Sequence, residues 1–417
     1  MKNNILIIGA GGVGHVVAHK LASATDSIGQ LHIASRSIAK CRAIAESVAA
    51  KAGAEAWITV QAHQLDAFDV EASIELIRDI QASIVVNAGP SFVNMAVLRA
   101  CIETGAAYID TAIHEDPHKV CEQPPWYANY EWTLRAECER RGITAILGAG
   151  FDPGVVNAYV ALVAAEHLDT VESIDIIDIN AGSHGQYFAT NFNAEINLRE
   201  FTGEVWSWQQ GQWAANAMFE VSRTDELPIV GLQKSYLTGH DEIHSLSTHY
   251  PKADIRFWMG FNEHYINVFN VLNSLGLLSE KPIKMPDGAE VIPLQLIKQM
   301  LPDPASLAPL YQGKTFIGVQ VRGTRGGQRH EVLLYNICDH AECFAEVGSQ
   351  AIAYTAGVPA VAAALLIARG DWDVRCMVNV EELPPRPLLE LIAQMGLPTF
   401  VRDADRHAPL FRTTPRT

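Results

Sequence analysis

Up to about residue 150, short apolar runs alternate with longer stretches of helical periodicity. Ile5–Ile8, Leu31–Ala34, Ala56–Ala62, Ile84–Val86, Ala107–Asp110 and Thr144–Leu147 read as strands, apolar and of strand length. His15–Ala24, Val70–Ile80, Val93–Thr104 and Tyr130–Arg141 read as the helices between them. This alternation predicts an α/β fold, a doubly wound parallel sheet with helices on both faces. Beyond Gly154 the pattern changes. Ser173–Ile179, Phe316–Arg322 and Glu331–Cys338 read as strands separated by Gly and aromatic residues. They predict an α+β domain with an open mixed sheet, suited to a substrate pocket and a dimer interface. Tyr354-Thr355-Ala356-Gly357-Val358-Pro359 then precedes an Ala-rich helix reaching about Arg369, and the charged tail beyond Pro398 reads as peripheral.

The turn after the first strand carries Gly9-Ala10-Gly11-Gly12-Val13-Gly14. In such a Rossmann fingerprint Gly9 permits the tight turn and Gly11 lets a pyrophosphate approach the backbone. Gly14 lets the helix pack closely on the strand, and the free N–H groups of the helix start hold the anion. The second strand ends in Ser35-Arg36-Ser37, where an NAD site usually carries an acidic residue for the ribose 2′-hydroxyl. Arg36 instead suits a 2′-phosphate, with Ser35 and Ser37 as hydroxyl donors, so the expected cofactor is NADP(H). Asp66, Asn87-Ala88-Gly89-Pro90 and Asp110-Thr111 end the following strands and fall along the same crevice. Asp152-Pro153-Gly154 follows the sixth strand. It reads equally as an ordinary turn or as a hinge whose backbone lies near the nicotinamide. The domains expected are residues 1–150 for NADP binding, 151–350 for substrate and dimerisation, and 351–417 returning to the first.

Composition narrows the class. The chain has 417 residues, 48% hydrophobic and 19% charged, an ordinary globular balance too long for one core. Its net charge of −16 argues against a nucleic-acid partner and against an anionic membrane surface. The seven cysteines are scattered and form no C-x-x-C pair. Reduced thiols and a cytoplasmic location are expected, without a signal peptide, since the first strand starts at once. Ala351–Ile367 is the longest apolar stretch, interrupted by Gly357-Val358-Pro359 and short for a membrane span.

The fingerprint, Ser35-Arg36, Asn87–Pro90, Tyr108-Ile109-Asp110-Thr111, Gly150-Phe151-Asp152-Pro153-Gly154 and Thr355–Pro359 together resemble the saccharopine dehydrogenase superfamily. Gly239-His240-Asp241-Glu242 and Phe257-Trp258-Met259-Gly260-Phe261 through Leu278 resemble its carboxynorspermidine synthase family. The resemblance implies NADPH-dependent reductive condensation of L-aspartate 4-semialdehyde with 1,3-diaminopropane or putrescine, by a homodimer. Homospermidine synthase is a similar relative that uses NAD, against which Arg36 speaks.

That reaction needs a neutral attacking amine, a proton donor for dehydration, and a grip on the remote ammonium and the amino-acid head group. His240, Glu242 and His244 share one face if this stretch is extended, and His240 with Glu242 makes a plausible acid–base pair. Homospermidine synthase has a similar His-x-Glu stretch in its substrate pocket, which supports His240 and Glu242 as the catalytic pair. His240 and His244 have the spacing of a zinc motif but lack Glu directly after the first His, and imine reduction needs no metal. No metal is expected. Trp206, Trp208 and Trp213 are candidate cation–π walls, and Glu195, Glu200 and Glu204 candidate ammonium holders. Arg199 and Arg256 are candidates for the substrate carboxylate. Two alternatives remain open: a saccharopine-type reductase of another amino acid and 2-oxoacid pair, which would want a more basic pocket, and a non-catalytic NADP(H) sensor.

Overall fold

The structure is a computed structural model and describes residues 2–53, 55–117, 123–192, 197–198, 204–403 and 406–411. Seven parallel strands form the first sheet. Their order is Met377–Asn379, Ala145–Leu147, Ala107–Asp110, Ile84–Asn87, Asn3–Ile8, Ile28–Ser35 and Val60–Gln64. The chain starts in the middle, runs to one edge, then crosses back beside Asn3–Ile8. This reversal opens a crevice at the carboxyl ends of Asn3–Ile8 and Ile84–Asn87. Strand side chains alternate between two cores: Ile5 and Ile7 pack with helices Gly12–Ala22 and Ala351–Arg369, Leu6 and Ile8 with Val70–Asp79 and Asn94–Thr104.

Ten strands form the second, mixed sheet. Its centre is the long hairpin Gln312–Arg325 and Gln328–Asp339, flanked by Thr170–Ser183 and then by Asp254–Gly260. One face, with Ile174, Ile176, Ile255, Phe257 and Val319, joins the first core through helices Val155–Glu166, Glu242–His249 and Ala351–Arg369. The other face carries Ile177, Ile179, Trp258, Phe316 and Tyr335. On that face the buried Asp175 carboxylate accepts bonds from Arg256 and Arg322, each at 2.8 Å, and from the Trp258 indole at 2.9 Å.

Several local expectations change. The third strand runs Val60–Gln64, four residues later than its apolar run begins, because Ile58 N–H instead caps the Ala22 carbonyl of the first helix. The helix expected over Tyr130–Arg141 breaks into a 3-10 turn, Glu131–Leu134, and a helix, Arg135–Arg141, after a separate short helix, Trp126–Asn129. Gly357-Val358-Pro359 does not precede a helix; it lies inside a continuous one, Ala351–Arg369. Proline costs that helix one hydrogen bond, and burial of most of its surface outweighs the loss. The same helix is long and apolar enough to cross a membrane, with 78% of that window buried within the fold. The tail is not peripheral either: Phe400–Asp403 and Arg406–Pro409 extend the second sheet, with Val401 fully buried.

Candidate active site

The glycine turn has the shape a dinucleotide requires. Gly9 has φ +104°, and a Cβ there would lie 2.6 Å from the Ala88 carbonyl oxygen. A Cβ on Gly14 would lie 2.0 Å from the Gly9 carbonyl oxygen, so the helix packs on the turn only without one. Around Gly11, by contrast, there is open space. Gly11 also caps helix Gly12–Ala22 without a side-chain bond, so Gly12, Val13 and Gly14 begin a helix whose first N–H groups are left for an anion. Arg36 is exposed, and its guanidinium has no partner among the described residues. Ser35 Oγ accepts from Ser37 N–H at 3.2 Å, and Ser37 caps helix Ile38–Ala52. Asp66, at the end of the third strand, is exposed and accepts the Phe68 N–H. An open pyrophosphate approach, an uncapped helix start and a free arginine at the second strand end fit a 2′-phosphorylated dinucleotide.

Farther along the crevice the predicted residues build the loops themselves. Asn87 is buried; its Oδ1 accepts Gly89 N–H at 3.2 Å and its Nδ2 donates to Asn94 at 2.8 Å, which shapes Ala88-Gly89-Pro90. Asp110 is fully buried and accepts Gly148 N–H at 2.6 Å, fastening the turn after Ala145–Leu147. Burial pushes its carboxyl up to about 7. The Thr111 carbonyl lies against Gly150 in the same turn. Asp152, Pro153 and Gly154 close that turn, and the Asn157 side chain accepts Gly154 N–H at 2.9 Å. Asn157 also donates to Ser245 and Glu381, which ties the turn to helix Glu242–His249.

His240 and Glu242 are brought together, though not on an extended strand. His240 sits in a turn, and Glu242 begins helix Glu242–His249. His240 Nδ1 and Glu242 Oε2 are 2.7 Å apart, with Glu242 fully buried. The imidazole stacks on Phe257, ring centroids 4.1 Å apart and planes 7° from parallel. Asp241 between them accepts Ile113 N–H at 2.8 Å, fixing the turn to the loop after Ala107–Asp110. Burial alone would lower the His240 pKa. The Glu242 carboxylate, by charge and hydrogen bond, and then Asp152 and Asp241 hold it well above the usual histidine value. A protonated ring in this position donates Nδ1–H to Glu242 and keeps Nε2–H for another acceptor.

Asp152 and Asp178 stand within electrostatic range of this pair. Burial, then the Asp178 charge, raises Asp152 well above the carboxylate range, against the pull of His240. Burial raises Asp178 to about 6. Asp178 escaped the sequence reading, yet a signal exists: in Ser-Ile-Asp-Ile-Ile-Asp-Ile-Asn it shares a face with core residues Ile174 and Ile176. Phe257 and Asp241 were likewise legible only as part of a resembling stretch.

His244 faces elsewhere. It lies between Trp126 and Trp213, with ring centroids 4.7 and 4.9 Å away, and its Nδ1 accepts the Trp126 N–H at 3.2 Å. Burial lowers its pKa to about 3, so it is a neutral packing group. Trp208 packs edge-on against Trp213 and donates to the Pro251 carbonyl. Trp206, on the same strand as Trp208, is half-buried, and Glu204 is exposed. Arg256 points to the opposite face of the second sheet, bound to Asp175. Glu195, Arg199 and Glu200 lie outside the described residues. Among the described residues no group of three or more His, Cys, Asp or Glu has metal-binding geometry.

The fold and the crevice define an NADP-dependent oxidoreductase with a two-sheet architecture. Residues 5–146 match the saccharopine dehydrogenase NADP-binding domain, and residues 150–397 the saccharopine dehydrogenase C-terminal domain. The chain is 43% identical to the carboxynorspermidine synthase of Vibrio cholerae, over 97% of this chain and 98% of that one. It is 41% identical to the carboxyaminopropylagmatine dehydrogenase of Synechocystis, over 94% of this chain and 96% of that one. Apo saccharopine dehydrogenase (L-Glu forming) from Saccharomyces cerevisiae shares the fold, with a TM-score of 0.70 at 14% identity, covering 96% of this chain and all of that one. The chain belongs to the saccharopine dehydrogenase family, within the group that contains the carboxynorspermidine synthases. Its cofactor is NADP(H), and its pathway is polyamine biosynthesis.

Proposed function

We propose that the enzyme condenses L-aspartate 4-semialdehyde with a diamine, 1,3-diaminopropane or putrescine, and reduces the imine to carboxynorspermidine or carboxyspermidine. The observation that carries this reading is the His240–Glu242 pair at 2.7 Å, with the carboxyl groups of Asp152 and Asp178 within electrostatic range of it. Such a carboxyl-rich site favours a cationic substrate and supplies a proton. The names of the Vibrio relatives support carboxynorspermidine as a product of this kind of enzyme.

The neutral end of the diamine attacks the aldehyde carbon and forms the C–N bond. His240 gives its Nε2 proton to the carbinolamine hydroxyl, which leaves as water. Glu242 stabilises the imidazolium and orients it through Nδ1, and Phe257 fixes the ring plane. NADPH, when bound, supplies the hydride that reduces the imine carbon. Arg36 and the first turn of helix Gly12–Ala22 hold its phosphates. A homodimer is the expected assembly.

Loss of NADPH absorbance tests the reading, with agmatine as a third amine because of the Synechocystis relative's name. Oxidation that needs both the semialdehyde and a diamine supports it. Oxidation with the semialdehyde alone, or only with agmatine, would overturn it.

A further inference from the structure

We propose that Asp178 is the residue that selects the amine: with Asp152 it holds the ammonium that does not react, and its reach sets the preferred chain length. The assignment rests on the diamine reading above. Asp178 lies on the face of Thr170–Ser183 that carries Ile174 and Ile176, beside Met259 in register and one step beyond Phe257, on which His240 stacks. Asp152 comes from the other side, on the turn after Ala145–Leu147. The two carboxyls thus come from the turn below the first sheet and from a strand of the second, close enough for each to feel His240 and Glu242.

What sets this pair apart is its lack of partners. The protein pairs other polar groups on the same strand. Asp175 takes Arg256, Arg322 and the Trp258 indole. Asn180 bonds Tyr311, Gly182 and His340. Asp178 makes no side-chain hydrogen bond or ion pair among the described residues, and Asp152 makes none beyond its own backbone N–H. Glu242, fully buried beside them, leaves Oε1 unbonded. Asp152, Asp178 and Glu242 therefore gather around one imidazole with acceptor capacity unused, which a cation can fill. An amine held between two carboxylates stays protonated. That suits the remote ammonium and not the nitrogen that must attack, which belongs beside His240. Chain length would then be read as the distance from this pair to His240, with Asp178 as the adjustable end.

Steady-state kinetics of Asp178→Asn and Asp178→Glu with both diamines test the proposal. NADPH fluorescence titration confirms that each variant is folded. D178N should raise the diamine KM about ten- to hundredfold, as for loss of a charged hydrogen bond, and leave the KM for semialdehyde and NADPH within about twofold. D178E pushes the carboxylate about one methylene into the cleft. It should keep activity and move the kcat/KM ratio toward 1,3-diaminopropane. An unchanged diamine KM in D178N, or an equal loss toward every substrate, would overturn the assignment. The thermal shift caused by 1,3-diaminopropane on NADP-loaded protein gives a readout independent of turnover. A shift in the wild type that D178N lacks upholds the amine site even if the condensation itself fails. No shift in the wild type would overturn it.

Discussion

In the proposed mechanism His240 acts as an acid because the Glu242 carboxylate sits 2.7 Å from its Nδ1. Replacing that charge while keeping the shape separates electrostatics from packing. Glu242→Gln leaves burial as the main influence on the ring, which lowers its pKa. Activity that needs imidazolium is present below the His240 pKa and lost above it. In the wild type the alkaline limb of kcat should lie well above the ordinary histidine value, and E242Q should move it to lower pH. At neutral pH kcat should fall about 10²-fold or more, within the range for lost general acid catalysis. A pH–rate profile with an unmoved limb would contradict the role. Arg36→Ala should raise the NADPH KM about tenfold or more and leave NADH use unchanged, measured by initial rates. The glycine turn was readable because a short motif dictates its own local geometry. Asp178 was not, because its neighbours arrive through strand pairing with distant sequence.

The helix Ala351–Arg369 joins the end of the chain to its beginning. A Cβ on Gly357 would stand 2.9 Å from the Val16 side chain, on the helix that opens the glycine turn. Gly357→Val must push the two helices apart. It should cost about 1–3 kcal/mol of stability, as overpacking does, and weaken NADPH binding together with it. A denaturation midpoint and an NADPH titration measure both effects. Strand and helix order in the first domain follows the apolar pattern closely, since its inner strands, such as Ile84–Asn87, Ala107–Asp110 and Ala145–Leu147, are buried on both faces. The pattern fails where tertiary contacts decide. Pro359 is accommodated because its helix is enclosed, and His240–His244 turns into a helix under Trp126 and Trp213 instead of extending. The expected peripheral tail instead pairs with Gln328–Asp339 to complete a sheet.

Across the whole molecule, buried carboxyls accumulate around the crevice. Burial raises Asp110 and Asp241 to about 7, and burial with the Asp110 charge raises Glu131 to about 8. An acid raised in the folded state adds stability that is fully present below its unfolded pKa and lost as pH rises through the folded one. The thermal midpoint should therefore fall between pH 5 and pH 8, over the interval set by those values. Glu131→Gln keeps the acceptor that receives His114 N–H and removes the ionisation. Its midpoint should gain on the wild type as pH rises to 8, and scanning calorimetry across pH would show a parallel course if the reasoning failed. A cation would favour the ionised form of these carboxyls, which suits a cationic co-substrate to this crevice. Mass spectrometry of the product made from C4-dideuterated NADPH, L-aspartate 4-semialdehyde and 1,3-diaminopropane tests that chemistry most directly. Carboxynorspermidine carrying one deuterium is the expected result. Deuterium found only in the alcohol of the semialdehyde, or in no product at all, would contradict reductive condensation.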